Sequence, residues 1–158
     1  MATISATTRR TKADVEYPTR DGRPMGETDL HRDIMATAIE TLKQHYAGQF
    51  VYVSGNILLF YKPGNRRRHV SPDVLVTKGL QQRQRENYLL WEEGRPPNIV
   101  IEITSKSTRE EDLEDKFEIY RDEVRVAEYF LFDPRAEYLR PALQGHRLRD
   151  GRYERINR

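Results

Sequence analysis

Two short apolar runs constrain this chain more than any other feature: Val70-Ser71-Pro72-Asp73-Val74-Leu75-Val76 and Asn98-Ile99-Val100-Ile101-Glu102-Ile103-Thr104-Ser105. β-Branched residues dominate both and turn-forming residues flank them, so each predicts a buried strand. Each also carries one carboxylate, Asp73 at the mouth of the first and Glu102 inside the second. A carboxylate within an apolar strand costs several kcal/mol unless something pairs with it. Hard divalent cations prefer carboxylate oxygens and are one such partner. Two carboxylates on neighbouring strands suit one or two Mg²⁺ ions at a sheet edge, with a lysine nearby to orient water or offset charge on phosphorus.

The chain has 158 residues, a length that suits one core. Residues 1–17 are polar and unpatterned and predict a mobile tail, leaving 18–158 as one domain. No apolar run approaches the roughly 18 residues of a membrane span. The N-terminus has no apolar signal region. There is no cysteine, which excludes disulfide staples, thiolate zinc sites and cysteine nucleophiles, and fits a cytoplasmic protein. Net charge is only +2, from 27 basic and 25 acidic residues, so any affinity for an anionic partner must come from local clusters. Arg66-Arg67-Arg68 is such a cluster and runs straight into the Asp73 strand; it reads as a phosphate contact or as a solvated surface.

Helix one is predicted from about Glu27 to Tyr46. Leu30, Ile34, Ala38 and Leu42 form an apolar stripe with Met35 and Ile39 beside it. Thr28 or Asp29 caps the start, and Gly48 ends the helix. Phe50–Val53 and Asn56–Tyr61 flank Ser54-Gly55 and predict a β-hairpin. Residues 80–97 predict a loop or short helix closing one end of the sheet. A second helix starts at Ser107 or Thr108, with Leu113, Phe117 and Tyr120 as its buried face. Val126–Pro134 is a further strand, so 98–133 reads strand–helix–strand with parallel pairing. Tyr138-Leu139, His146–Leu148 and Tyr153–Ile156 are short strand candidates, the last two around an Asp150-Gly151 turn.

Five ordered segments carry a resemblance: Ser71-Pro72-Asp73-Val74, Trp91–Pro97, Ile101–Thr108, Asp115–Tyr120 and Glu128–Pro134. Together they resemble the Uma-two family of the PD-(D/E)XK nuclease superfamily, over most of the chain. The resemblance implies a restriction-endonuclease-like α/β fold, a mixed central sheet flanked by helices. It implies Mg²⁺-dependent (or Mn²⁺-dependent) hydrolysis of DNA phosphodiester bonds, with Asp73 and Glu102 as metal ligands and Glu27 of the first helix approaching the metal. The superfamily's simplest pattern puts a lysine two residues after the strand glutamate, where this chain has Thr104. The Uma-two pattern has its lysine in the following helix, here Lys116; Lys106 is the alternative. Cleavage of both strands of DNA is compatible with a homodimer.

Each of these residues has a plainer reading. Asp73 suits a turn cap after Pro72, Glu102 a buried ion pair, Lys116 a surface pair with Asp112, and Glu27 the favourable end of a helix dipole. His31, one turn after Glu27, reaches the same pocket, though a lone histidine is more often structural. Two other functions remain open: a catalytically inactive DNA-binding or regulatory module, supported by Thr104, and a metal hydrolase acting on something other than nucleic acid.

Overall fold

The computed structural model describes residues 15–18 and 28–157. Glu27 and nearly all of the tail expected at 1–17 lie outside the described residues. Tyr17 is described: its ring packs on Phe60 and Trp91, both at 5.1 Å between centroids, and its hydroxyl accepts a hydrogen bond from the Gly64 N–H.

Helix α1 spans Asp29–His45, and the Thr28 hydroxyl caps it by accepting from the His31 N–H. Strands β1 (Val51–Ser54), β2 (Leu59–Phe60), β3 (His69–Val70), β4 (Val74–Lys78) and β5 (Tyr88–Leu89) follow. The one-turn helix α2 (Leu90–Glu93) ends at Gly94 with φ +75°, the left-handed conformation a helix end favours. Strand β6 (Ile99–Ile103) leads into a crossover helix over 109–124, then β7 (Glu128–Phe132), β8 (Leu143–Arg149) and β9 (Arg152–Arg155). Asp150 and Gly151 both have positive φ, +51° and +76°, as a two-residue turn between twisted strands requires. Among the described residues no helix is long and apolar enough to cross a membrane.

The main sheet has the order β1-β4-β6-β7-β8-β9. All neighbours are antiparallel except β6 and β7, which the crossover helix joins in parallel register, Glu102 opposite Leu131. A small second sheet, β3-β2-β5, lies apart from it. Alternation along the strands sorts the core into two layers. Tyr52, Leu75, Val100, Tyr129 and Leu131 pack with Tyr120 and Val124 of the crossover helix and with Leu59, Val70 and Tyr88 of the small sheet. Val51, Val53 and Val76 point the other way, onto Ile39 and Leu42 of α1 and Tyr46 just after it.

Several local expectations change. Segments 50–53 and 56–61 do not form a hairpin, because β1 pairs with β4 while β2 joins the small sheet. Asn56, at φ +51°, donates from its N–H to the Pro72 carbonyl, and that bond turns the chain out of the main sheet. The run Val70–Val76 splits into β3 and β4, since Pro72 offers no N–H to a ladder. Helix α1 packs through Ile39, Leu42 and Tyr46 rather than along Leu30, which is 38% exposed, because the facing valines meet only its C-terminal half. Tyr138-Leu139 lies in a bend, not a strand.

The crossover helix is π-type over Glu111–Asp115, α-type over Lys116–Glu118 and π-type again over Ile119–Val124. The wider first turn rotates the helix face, so Asp112 is buried and Leu113 is exposed, the reverse of what α-periodicity predicts.

Candidate active site

Asp73 enters β4 directly after Pro72, and the β4–β6 ladder places Val74 opposite Ile101. That register brings the Asp73 carboxylate to the Glu102–Ile103 step of β6. Its Oδ2 accepts from the Ile103 N–H at 2.8 Å and lies 3.2 Å from His31 Nε2. Both contacts converge on one carboxylate oxygen. Glu102 shares the pleat of Val100 and so faces the crossover helix, fully buried. Its Oε1 accepts from the Tyr120 hydroxyl at 2.6 Å and its Oε2 from Lys116 Nζ at 3.2 Å. Lys116 and Tyr120 stand one turn apart on the same helix face. Lys116 Nζ also lies 3.3 Å from Asp112 Oδ1, and the Thr108 hydroxyl donates to Asp112 Oδ2 at 2.8 Å.

Of these groups, His31, Asp73, Thr108, Asp112 and Lys116 line an open cleft of about 580 Å³ with Thr28, Thr104, Lys106 and the loop after β7, including Asp133, Arg135 and Glu137, while Glu102 and Tyr120 are fully buried. Asp133 Oδ2 accepts from the N–H groups of Tyr138 and Leu139, which fixes that loop and lets the Tyr138 hydroxyl bond to Thr104. A second hollow of about 420 Å³ shares Lys116 and is lined by Arg67, His69, Ser71, Glu111 and Asp115.

The electrostatics follow from burial against pairing. Burial pushes the Asp73 carboxyl up, but the His31 hydrogen bond and charge, the contact with Glu102 and the Lys116 ammonium outweigh it and hold Asp73 below its ordinary value. Glu102 goes the other way. Full burial raises its pKa well above the usual carboxylate range despite Lys116, and the charges of Asp73 and Asp112 add to the rise. Lys116 is shifted up: the carboxylates of Glu102, Asp112 and Asp73 outweigh its own desolvation and keep it an ammonium. The cluster thus retains positive charge tightly between its carboxylates.

Among the described residues no group of three or more His, Asp or Glu converges to hold a metal ion. Asp73 and Glu102 remain as a pair of hard oxygen donors on adjacent strands. That set fits Mg²⁺, which commonly uses one or two carboxylates and completes its shell with waters and substrate phosphates.

The structure therefore brings together Asp73, Glu102 and Lys116 from the sequence reading, together with His31, which that reading weighed for the same pocket. Lys106 lines the cleft, and its backbone N–H donates to Glu137 Oε2 at 3.4 Å. Arg66, Arg67 and Arg68 are exposed on the turn between β2 and β3, and Arg67 borders the second hollow. Glu27 lies outside the described residues. Two participants escaped sequence reasoning. Asp112 enters the sequence reading only as a surface partner of Lys116, whereas the structure buries it. Tyr120 was read as core, which it is, while its hydroxyl serves Glu102. The spacing Asp112-x₃-Lys116-x₃-Tyr120 was the available signal, since it puts all three on neighbouring turns.

A mixed sheet whose central strands present an aspartate and a buried glutamate at one end, with helices against both faces, is a restriction-endonuclease-like fold. The crystal structure of a putative nuclease belonging to DUF820 from Anabaena variabilis shares it, with a TM-score of 0.59 and 12% identity over 86% of this chain and 71% of that one. The family model Uma2, described as "Putative restriction endonuclease", matches residues 5–158, and the chain belongs to that family. No curated protein matches it in sequence.

Proposed function

We propose that this protein is a metal-dependent endonuclease that hydrolyses DNA phosphodiester bonds, with Asp73 and Glu102 as its metal ligands and Lys116 as its catalytic lysine. The observation that carries the reading is the meeting of Asp73 and Glu102 across the β4–β6 pair, with Lys116 Nζ 3.2 Å from Glu102. Family membership and the fold of the Anabaena variabilis protein support it.

Each residue has a distinct task. Ile103 N–H and His31 hold Asp73 ionised and fixed in rotation. Tyr120 fixes Glu102 through the other carboxylate oxygen. Lys116 stands at the cleft wall as an ammonium, where it orients the attacking water and offsets charge developing on the phosphorus. Mg²⁺ or Mn²⁺ bound to the two carboxylates would supply a Lewis acid for the phosphoryl oxygen and lower the pKa of a bound water. Arg66, Arg67 and Arg68 flank this centre and contact the DNA backbone. Glu27 is proposed to approach the metal, and two copies of the chain would address the two DNA strands.

A second reading has one observation in its favour. Both Glu102 oxygens are already bonded, to Tyr120 and Lys116, as in a closed ion pair that binds DNA without cutting it. Plasmid nicking with Mg²⁺ or Mn²⁺, together with calorimetry of the metals, separates the two. Nicking and metal heat that both vanish in Asp73→Ala support the nuclease. Metal-independent DNA binding without nicking supports the inactive module. DNA binding and nicking that are both undetectable overturn both readings.

A further inference from the structure

We infer that Asp112 is a positioning residue for Lys116: it shares the ammonium with Glu102 and so leaves Glu102 available to a divalent cation. The inference rests on the reading of Asp73, Glu102 and Lys116 as the reacting centre.

Asp112 is 2% exposed and anchored on three sides. Oδ2 accepts from the Thr108 hydroxyl at 2.8 Å, its backbone carbonyl accepts from the Tyr129 hydroxyl at 2.8 Å, and Oδ1 faces Lys116 Nζ at 3.3 Å. Lys116 Nζ is nearly equidistant from Glu102, at 3.2 Å. Nothing in local helix preference asks for this arrangement. The π-type turn at Glu111–Asp115 rotates Asp112 inward at the expense of Leu113, and such turns are rare and frequently found at functional sites.

The physical consequence concerns competition between cations. An ammonium tied to one buried carboxylate forms a contact pair that a dication must break. An ammonium bridging two carboxylates has a counter-ion to keep when one of them is taken. With Asp112 present, Lys116 retains its charge partner and stays at the cleft wall while Glu102 is used elsewhere. Without Asp112, Lys116 closes on Glu102 and competes with the dication for it.

The test is a double-mutant cycle read by calorimetry with Mg²⁺. Asp112→Asn is expected to weaken Mg²⁺ binding about tenfold in the wild-type background. In the Lys116→Met background it is expected to weaken binding no more than about twofold, because only the direct field of the lost charge remains. Thr108→Val, which removes the brace together with the hydroxyl's bond from the Ser105 N–H, is expected to move affinity the same way by a smaller factor. Equal losses in both backgrounds would overturn the positioning role, since a merely structural Asp112 does not act through Lys116. A readout without metal accompanies it: the ¹⁵Nζ ammonium resonance of Lys116 at low temperature. It is expected to be observable in wild type and to move to a new chemical shift in Asp112→Asn, as the ammonium closes on Glu102; an unchanged resonance overturns the inference. Absent Mg²⁺ heat in wild type would count against the metal-dependent nuclease alone, and the ammonium resonance would still decide the role of Asp112.

Discussion

Gly55 lies directly against Asp73, and a Cβ built on it would overlap the Asp73 carbonyl oxygen and come within 2.8 Å of Ile39 Cδ1. The bend that carries the chain out of β1 therefore also supports the backbone of a site carboxylate. Gly55→Ala is expected to destabilise the protein by about 1–3 kcal/mol, the range for overpacking. It should also shift Asp73 away from Ile103 and lower nicking activity. Urea unfolding midpoints with parallel nicking assays check this; an unchanged midpoint would mean that the bend relaxes freely.

Tyr120→Phe removes one hydroxyl from a fully buried site without changing ring packing on Tyr129, whose centroid lies 5.0 Å away. Glu102 Oε1 loses its donor at 2.6 Å and is left buried without it, so stability should fall by about 1–3 kcal/mol, the cost of an unsatisfied buried group. Thermal denaturation measures it. A loss below about 0.5 kcal/mol would show that another donor, such as water, replaces the phenol.

Acid titration should separate the two carboxylates. Asp73 has a folded pKa below its unfolded value. Its contribution to stability is therefore complete above the unfolded pKa, about 4, and is lost as pH falls through the lower folded value. Glu102 has a folded pKa above its unfolded value. Its contribution is complete below about pH 4 and is lost as pH rises through the raised value. Asp73→Asn should flatten the acid side of a stability–pH curve, and Glu102→Gln should flatten the decline on the other side. Unfolding midpoints across pH in chelator decide; identical curves for wild type and either variant would contradict the corresponding shift.

The arginine turn should report on DNA through salt. Each phosphate contact contributes about 0.9 to the slope of log affinity against log salt. Replacing Arg66, Arg67 and Arg68 together with Ala should lower that slope by up to about 3, with little change in metal affinity. Fluorescence anisotropy of duplex DNA over a salt series measures it, and an unaltered slope would remove this turn from the DNA path.

What could be read from the sequence, and what could not, divides along local and non-local lines. Strand β6 with Glu102 was legible because an apolar run of that length interrupted by one carboxylate has few folded solutions, whereas the run around Asp73 was legible only in part, since Pro72 divides it and leaves Asp73 just ahead of β4. The Asp150-Gly151 hairpin was legible because its turn chemistry is local. The separation of β1 from β2 was hidden, since it depends on Asn56 bonding to Pro72, far along the chain. The exchange of Asp112 for Leu113 was hidden too, because a period of 3.6 cannot foresee a π-type turn. Lys116 against Glu102 came from the resemblance, and Asp112 and Tyr120 completed that contact only in three dimensions.

The central position of β6 has a consequence for how the molecule is made. Its antiparallel partner β4 precedes it by a long excursion, and its parallel partner β7 follows only after the whole crossover helix. Neither contact is available to a locally folded fragment, and closing such loops precedes the reward of pairing them. Asp73, Glu102 and Lys116 thus converge only when β4 has paired with β6 and the crossover helix has packed on that pair, so no short contiguous stretch of the chain contains the centre.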